Sequence, residues 1–317
     1  MGWTADHVPD QTDRVAVVTG ANSGIGYETT KVLADHGGTV IMACRNEHRA
    51  TRARESIQES IQGADVRIEP VDLASLDSIA DFGDRLADQE VTIDLLINNA
   101  GIGGIPRRET VDGFEYQFGV NHLGHFALTG HLLEQLREGA RVVTVSSEAH
   151  RRGEIDFDDL HAERSYGRWS AYAQSKLANL LFAAELDRRL ETSDRRIISV
   201  GAHPGFVKTK FQARCSQDSF IRRFAMRIAT TLFAKSAEAG ARPVLYAATV
   251  PDVPRRSYVG PGGFRNQRGL PSVQEPSSIA DNPLIAHRLW EVSREATGVR
   301  YPVKTHNGRT DDNGIEQ

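Results

Sequence analysis

The segment AYAQSKLANLLF, residues 171–182, places Lys176 four residues after Tyr172. Side chains at this spacing lie on one face of a helix, so a lysine ammonium can stand beside a phenol. A free tyrosine titrates near 10, and lowering that pKa by ~3 units needs ~4 kcal/mol of preferential stabilisation of the phenolate. A neighbouring positive charge supplies part of that stabilisation. The pair therefore suits proton transfer to or from a substrate oxygen near neutral pH.

Lysine is an unusual choice here, because only six of the 38 Lys and Arg residues are lysines. A compact ammonium can bond to ribose hydroxyls while it flanks a phenol, whereas the planar guanidinium is suited to bidentate contacts. With seven tyrosines in the chain, a Tyr-x-x-x-Lys pair can also arise by chance. Its meaning depends on the motifs around it.

Glycines are concentrated in the segment VVTGANSGIGYETT, residues 17–30, where a short β-branched run gives way to a helical pattern. Gly20, Gly24 and Gly26 allow a tight turn and a close approach of the backbone to a pyrophosphate. The following helix N-terminus offers N–H groups to phosphates. The spacing G-x-x-x-G-x-G differs from the common G-x-G-x-x-G fingerprint, and a merely glycine-rich turn is the alternative. Its place after the first predicted strand favours a dinucleotide site.

The end of the second predicted strand indicates which dinucleotide is bound. Enzymes that use NAD usually carry an acidic residue there to bind the ribose 2′-hydroxyl. This chain has Ala43, Cys44 and then Arg45, and a guanidinium can pair bidentately with a 2′-phosphate. The sequence predicts NADP(H) rather than NAD(H), and the alternative is that Arg45 is a solvated surface charge.

Short β-branched runs alternate with longer helical stretches along the chain. The predicted strands are 14–20, 39–44, 65–73, 93–101, 140–147 and 196–205. The predicted helices are 24–37, 46–62, 75–88, 121–138 and 171–192. This alternation predicts an α/β fold: a single-domain Rossmann fold with a doubly wound parallel sheet and helices on both faces. We expect this domain to span residues 14–302, between a flexible N-terminal segment, 1–13, and a flexible tail, 303–317.

Composition excludes several classes of function. A net charge of −4 and a pI near 6.3 disfavour binding to nucleic acid or anionic membranes. No apolar run approaches the ~20 residues of a transmembrane helix, and the polar start does not resemble a secretory signal, so we expect a cytoplasmic protein. His122, His125 and His131 lack acidic or cysteine partners at a metal-ligand spacing, so they are predicted to be packing residues and no metal is assigned.

Six motifs, in order, resemble those of the short-chain dehydrogenase/reductase superfamily across roughly residues 14–265. They are TGANSGIG (19–26), NNAG (98–101), VNHLGHFALT (120–129), VVTVSSEAH (142–150), YAQSK (172–176) and HPGFVKT (203–209). The 25 residues from Ser147 to Tyr172, the ACR segment and SKLANLLF are similar to the retinol-dehydrogenase-like branch. The resemblance implies hydride transfer between NADP(H) and a carbonyl or alcohol substrate.

The resemblance also implies roles for individual residues. Tyr172 would be the general acid or base, Lys176 would hold the ribose and lower the phenol pKa, and Ser147 would bond the substrate oxygen, with Ser146 as its competitor. Asn121 would anchor a water relay to Lys176. The cofactor-binding set is Gly20, Asn22, Ser23, Gly24, Ile25, Gly26, Arg45, Asn46, Asp72, Leu73, Asn99, Ala100, Gly101, Tyr172, Lys176, Pro204, Gly205, Val207 and Thr209.

The substrate and its surroundings are less defined. A lid over a lipophilic aldehyde or ketone is expected at about 206–235, where an oligomer contact or a membrane-surface helix is the alternative. Reduction of a C=C bond and a non-catalytic NADP-sensing interaction protein are the alternative functions. By the resemblance, a homodimer or homotetramer would form through the helix of the catalytic tyrosine and the helix before it.

Overall fold

The computed structural model describes residues 2–193, 195–205, 237–263 and 269–302. Within these ranges eight strands form one sheet in the order β3-β2-β1-β4-β5-β6-β7-β8. All neighbours are parallel except β7 and β8, which confirms the predicted doubly wound sheet and adds an antiparallel edge. The strands are β1 Val15–Thr19, β2 Thr39–Ala43, β3 Val66–Glu69, β4 Ile93–Asn98, β5 Leu136–Val145, β6 Ile198–Ala202, β7 Tyr258–Pro261 and β8 Pro271–Gln274.

Helices cover both faces of the sheet, as predicted. Successive strand residues point to opposite faces: Val17 joins a core cluster with Phe126, and Val18 joins another with Val244. A π-helical segment, Gly119–Leu123, links α4 to α5. The helices are α1 Gly24–Asp35, α2 Glu47–Ser60, α3 Leu76–Asp88, α4 Tyr116–Phe118, α5 Gly124–Leu132, α6 Arg168–Glu191, α7 Ala237–Thr249 and α8 Pro283–Thr297.

The predicted helix at 121–138 is displaced in the structure. Helical structure begins at Tyr116, because the Glu115 carboxylate accepts the N–H groups of Gln117 at 3.0 Å and Phe118 at 2.7 Å, which is the role of an N-cap. It gives way to β5 at Leu136. The strand predicted at 65–73 is also shorter, since β3 ends at Glu69, just before a proline that removes a ladder donor.

The segment before β1 packs on the domain, in contrast to the flexible segment expected at 1–13. Trp3 meets Tyr246 of α7 edge-to-face at 5.4 Å. Val8 lies in the core shared with α1 and α7, and the N–H of Gln11 donates to the carbonyl of His36 at 2.8 Å. Apolar burial of this kind stabilises the segment in place. The expected tail, 303–317, lies outside the described residues.

Helix α8 covers the outer side of α5 and α6. Its Trp290 stacks on Phe182 of α6 at 5.9 Å and meets Phe126 of α5 edge-on at 5.0 Å. Tyr301 completes the cluster, 4.5 Å from Trp290. These are the two helices through which association was expected, and α8 covers the side of them that carries Phe126 and Phe182.

The sheet has one topological switch point, between β1 and β4, where the strand order reverses direction. Ligands of open α/β sheets bind beyond the carboxyl ends of the strands at such a point. The topology therefore places the predicted site residues that follow these strands at the same edge of the sheet.

Candidate active site

Those predicted site residues that the structure describes gather at the carboxyl edge of the sheet. Gly20 follows β1, Arg45 follows β2, Asp72 lies after β3, Asn99 follows β4 and Ser147 follows β5. The first five parallel strands thus each deliver one of these residues to the same edge. Tyr172 and Lys176 reach it from α6, and Asn121 reaches it from the π-helical segment.

The glycine turn has the geometry that a dinucleotide requires. Gly20 and Gly24 have φ of 66° and 60°, a backbone region that favours glycine. A Cβ on Gly26 would lie 2.5 Å from both the carbonyl oxygen of Gly20 and Nδ2 of Asn99. Ser23, the N-cap residue of α1, makes no side-chain capping bond, which leaves the first-turn N–H groups for a phosphate. The turn therefore fits a pyrophosphate-binding cradle.

Arg45 lies beside Asp72, as expected for two residues at this edge of the sheet. It also contacts Tyr116, a partner that the sequence did not indicate. Its Nη1 donates to Oη of Tyr116 at 2.8 Å and lies 3.6 Å from a carboxylate oxygen of Asp72. These contacts raise the pKa of Arg45, with the Tyr116 bond as the larger cause. The guanidinium of Arg108 stacks over the Tyr116 ring at 3.5 Å. Two cations thus meet at one phenol.

The remaining adenine-side residues have structural contacts of their own. Asn46 is the N-cap of α2, and its Oδ1 accepts the N–H of Arg49 at 2.9 Å. Asp72 accepts the N–H of Ala74 at 3.0 Å, and Leu73 is buried. The Asn46 bond shapes the turn after β2, and the Asp72 bond shapes the turn after β3. These residues therefore help to form the walls of the pocket.

Lys176 is buried, with an exposed fraction of 4%. Its Nζ donates to the carbonyl oxygen of Val145 at 3.0 Å, and Nδ2 of Asn179 donates to the same oxygen at 3.0 Å. Burial lowers the pKa of Lys176 to about 8. A Cβ on Gly101 would lie 3.3 Å from Nζ, so the absence of a side chain at Gly101 leaves space beside the ammonium.

Asn121 is held in the π-helical segment, a local irregularity that is frequent at functional sites. Its side chain pairs with the backbone of Ile102, accepting from N–H at 2.9 Å and donating to C=O at 2.8 Å. Its Nδ2 also lies 2.9 Å from Oγ of Ser175, and that hydroxyl donates to the carbonyl of Tyr172 at 2.8 Å. Asn121 thus ties the loop after β4 to helix α6.

The two serines after β5 have different surroundings. Ser146 is buried, and its hydroxyl donates to the carbonyl of Lys176 at 2.6 Å. Ser147 is only partly buried, and its Oγ accepts the N–H of Ala149 at 3.2 Å. An accepted bond leaves the hydroxyl hydrogen of Ser147 for a substrate oxygen, since a hydroxyl both donates and accepts. The geometry favours Ser147 over Ser146 for contact with substrate.

Trp169 lies one helical turn before Tyr172 on α6. The two rings are 6.2 Å apart at an interplanar angle of 82°, and the indole is 50% exposed. An exposed tryptophan beside the proposed proton donor offers an apolar surface. Sequence reasoning missed Trp169, although its i, i+3 spacing from Tyr172 was a visible signal.

The segment after β6 is described only as far as Gly205. Nδ1 of His203 accepts the N–H of Gly205 at 3.3 Å, and Nε2 lies 3.0 Å from Oε1 of Gln274. Burial lowers the pKa of His203 to about 4, so the ring is neutral at physiological pH and accepts the Gly205 bond. Pro204 lies between them, whereas the predicted contacts at Val207 and Thr209, and the lid at 206–235, fall outside the described residues.

A parallel sheet with a glycine turn at its switch point defines a Rossmann-type fold of the dinucleotide-binding class. A family model described as short chain dehydrogenase matches residues 14–219, and the chain belongs to this family. Human retinol dehydrogenase 13 is 38% identical over 91% of this chain and 86% of its own length. Mouse polyprenol dehydrogenase is 39% identical over 92% of this chain and 86% of its own. These relatives confirm the retinol-dehydrogenase-like branch.

Among solved structures, an uncharacterized protein from Mycobacterium Paratuberculosis shares 40% identity with a TM-score of 0.80, covering 96% of this chain and 100% of its own. In the part of the chain described by the structure, no helix is long and apolar enough to cross a membrane. The family uses nicotinamide dinucleotides, and the glycine cradle described above fits such a group.

Proposed function

We propose that this protein is an NADP(H)-dependent oxidoreductase that interconverts a lipophilic aldehyde or ketone and the corresponding alcohol, with Tyr172 as general acid or base. The observation that carries the proposal is the placement of Tyr172 and buried Lys176 on α6, where Lys176 bonds to the carbonyl of Val145, two residues before Ser147. Membership of the short-chain dehydrogenase family and relatives named as retinol and polyprenol dehydrogenases support this reaction class.

The nicotinamide supplies hydride chemistry when bound, and the chain's residues orient and polarise the substrate. In reduction, the Tyr172 hydroxyl gives its proton to the carbonyl oxygen, while that oxygen accepts a hydrogen bond from Ser147. The Lys176 ammonium stabilises the phenolate that forms. In oxidation the same groups act in reverse, and the phenolate takes the alcohol proton.

Lys176 also has a holding role in the proposal. Its compact ammonium, next to the open side of Gly101, would bond to the ribose hydroxyls. Gly20, Gly24 and Gly26 would admit the pyrophosphate, and Asn99, Ala100 and Gly101 would line the pocket floor after β4.

Discrimination for NADP(H) is assigned to Arg45. Its Nη1 is engaged by Tyr116, but a guanidinium carries five N–H donors in a planar fork, so the same side chain can also face a 2′-phosphate. The Arg108 guanidinium lies over the ring of the same tyrosine, and it adds positive charge to this corner of the pocket.

The preference for an apolar substrate is supported by the exposed indole of Trp169 beside Tyr172. A contact between two aromatic groups contributes ~0.5–1.5 kcal/mol beyond the burial of their area. The cytoplasmic location and the homodimer or homotetramer expected from the sequence stay predictions.

The replacement Tyr172→Phe tests the proposal, with Tyr246→Phe on α7 as the matched control. We expect Tyr172→Phe to lower kcat for carbonyl reduction by at least ~1,000-fold, while the NADPH dissociation constant changes less than threefold. Tyr246→Phe should change neither. Turnover that survives in Tyr172→Phe would overturn the mechanism. NADPH binding without turnover of any carbonyl by the unaltered protein would favour the C=C reductase or the sensor.

A further inference from the structure

His125, on the first turn of α5, is fully buried between the glycine turn and the π-helical segment. Its Nδ1 lies 2.9 Å from the carbonyl oxygen of Asn121, and its Nε2 lies 2.9 Å from Oγ1 of Thr19. Thr19 is the last residue of β1 and is also fully buried. The imidazole therefore bridges the strand that precedes the cofactor cradle and the segment that holds Asn121.

The chemistry of the partners fixes the direction of every bond in this bridge. A carbonyl oxygen only accepts, so the ring hydrogen is on Nδ1 and points to Asn121. Burial, with a smaller contribution from the Lys176 ammonium, lowers the pKa of His125 to about 4, so the neutral ring accepts at Nε2. The Thr19 hydroxyl then donates its hydrogen to His125 at 2.9 Å rather than to the more distant carbonyl oxygen of Ile97 at 3.4 Å.

The direction of the Thr19 bond sets what its oxygen can do next. With its hydrogen engaged, Oγ1 of Thr19 accepts two backbone N–H groups, from Asn99 at 2.8 Å and Ala100 at 2.9 Å. The Asn99 side chain closes the loop by donating from Nδ2 to the carbonyl of Thr19 at 2.8 Å. The turn after β4 is thus fastened to the end of β1 through one hydroxyl whose orientation depends on His125.

The other end of the bridge reaches the catalytic helix. The carbonyl of Asn121 is held by His125, and the Asn121 side chain contacts Ser175 of α6 at 2.9 Å. A buried, fully satisfied polar network of this kind specifies one arrangement, because any unpaired member costs free energy.

We propose that His125 is a positioning residue that fixes the cofactor-pocket turn at Asn99 and Ala100 and the Asn121 segment beside Lys176 relative to each other. The inference rests on the proposed function for its kinetic consequence. It goes beyond that function in assigning a role to a histidine that touches neither cofactor nor substrate.

The first test measures the tautomer and needs no turnover. Protein labelled with ¹⁵N-histidine is examined by NMR, and His125→Asn identifies the His125 signal. We expect hydrogen on Nδ1 and no titration between pH 5.5 and 8.5. A signal with hydrogen on Nε2, or a ring that titrates near 6.5, would overturn the proposed bond directions.

The second test separates the two bonds of the ring. An asparagine amide stands near the Nδ1 position and a glutamine amide near Nε2, so His125→Asn keeps the Asn121 bond and His125→Gln keeps the Thr19 bond. We expect His125→Asn to weaken NADPH binding about tenfold with kcat within threefold. We expect His125→Gln to lower kcat about tenfold with NADPH binding within threefold.

The matched control is His131→Asn, also on α5 and outside the network, which should change neither value. A melting temperature measured for each variant tracks folding, and His125→Phe, which loses both bonds, should show both defects. Equal changes in NADPH affinity and kcat for the Asn and Gln variants would overturn the positioning role. If no substrate is turned over, the NADPH affinities of the variants still test the Thr19 arm independently of the proposed function.

Discussion

Nζ of Lys176 lies 3.0 Å from the carbonyl oxygen of Val145, the last residue of β5. An ammonium is thereby held in a nearly dry place at the end of the strand that carries Ser147. Burial disfavours the charged form, so the pKa of Lys176 falls to about 8 from 10.5. The Lys176 ammonium therefore loses its proton more readily in the folded chain than in water. A perturbed pKa of this kind is typical of a group placed for function rather than for stability.

This placement predicts that Lys176→Met stabilises the protein without cofactor. The lysine pKa is lower in the folded chain, so burying the charge costs roughly 3 kcal/mol at pH 7. The Val145 carbonyl keeps its bond from Asn179. We expect an unfolding free energy higher by up to ~3 kcal/mol at pH 7, measured by urea denaturation, together with loss of turnover.

The pH dependence of the higher unfolding free energy of Lys176→Met gives a more specific test. Between pH 8 and 10.5 the unfolded chain binds more protons than the folded one, so the stability of the unaltered protein rises with pH. The advantage of Lys176→Met should therefore shrink across this window. Lys31→Met on α1 is the control and should show no such trend. An advantage that stays constant from pH 7 to 10.5 would contradict the buried-charge account.

Arg45→Ala should reduce the preference of the enzyme for NADPH over NADH. Loss of a charge-assisted contact to the 2′-phosphate is expected to raise KM for NADPH about tenfold or more, and KM for NADH should stay within threefold. Steady-state kinetics with both cofactors give the comparison, and Arg52→Ala, at an exposed arginine on α2, is the control. If Arg45→Ala changed KM for NADPH and for NADH equally, Arg45 would have no role in binding the 2′-phosphate.

Trp169→Ala should affect large apolar substrates selectively. Removing the indole takes away an aromatic contact of ~0.5–1.5 kcal/mol, so KM for an aromatic or polyene aldehyde should rise about two- to tenfold. KM for a two- or three-carbon aldehyde should not change, and neither should the NADPH dissociation constant. A uniform rise in KM for all aldehydes would show that Trp169 supports Tyr172 rather than the substrate.

Much of the fold could be predicted from the sequence because its signals are local. The β-branched runs at β1, β2 and β4 and the glycines at 20, 24 and 26 depend on neighbours within one turn. The gathering of Gly20, Arg45 and Asn99 then follows from a parallel sheet, since the carboxyl ends of its strands share an edge.

What the sequence left unpredicted depends on contacts between distant residues. Arg45 and Tyr116 are 71 positions apart, and Thr19 and His125 are 106 apart. His125 was predicted to be a packing histidine without metal, and it is buried, but periodicity carries no information about its two hydrogen bonds. The π-helical segment at Gly119–Leu123 was also not predicted.

The most direct measurement follows the absorbance of NADPH, and separately of NADH, as the purified protein meets a panel of carbonyls that includes retinal and aromatic aldehydes. We expect NADPH to be consumed with the apolar carbonyls, at a kcat/KM well above that for NADH. No consumption of either cofactor with any carbonyl, despite measurable NADPH binding, would contradict the proposed carbonyl reductase activity. Faster consumption of NADH would contradict the role assigned to Arg45.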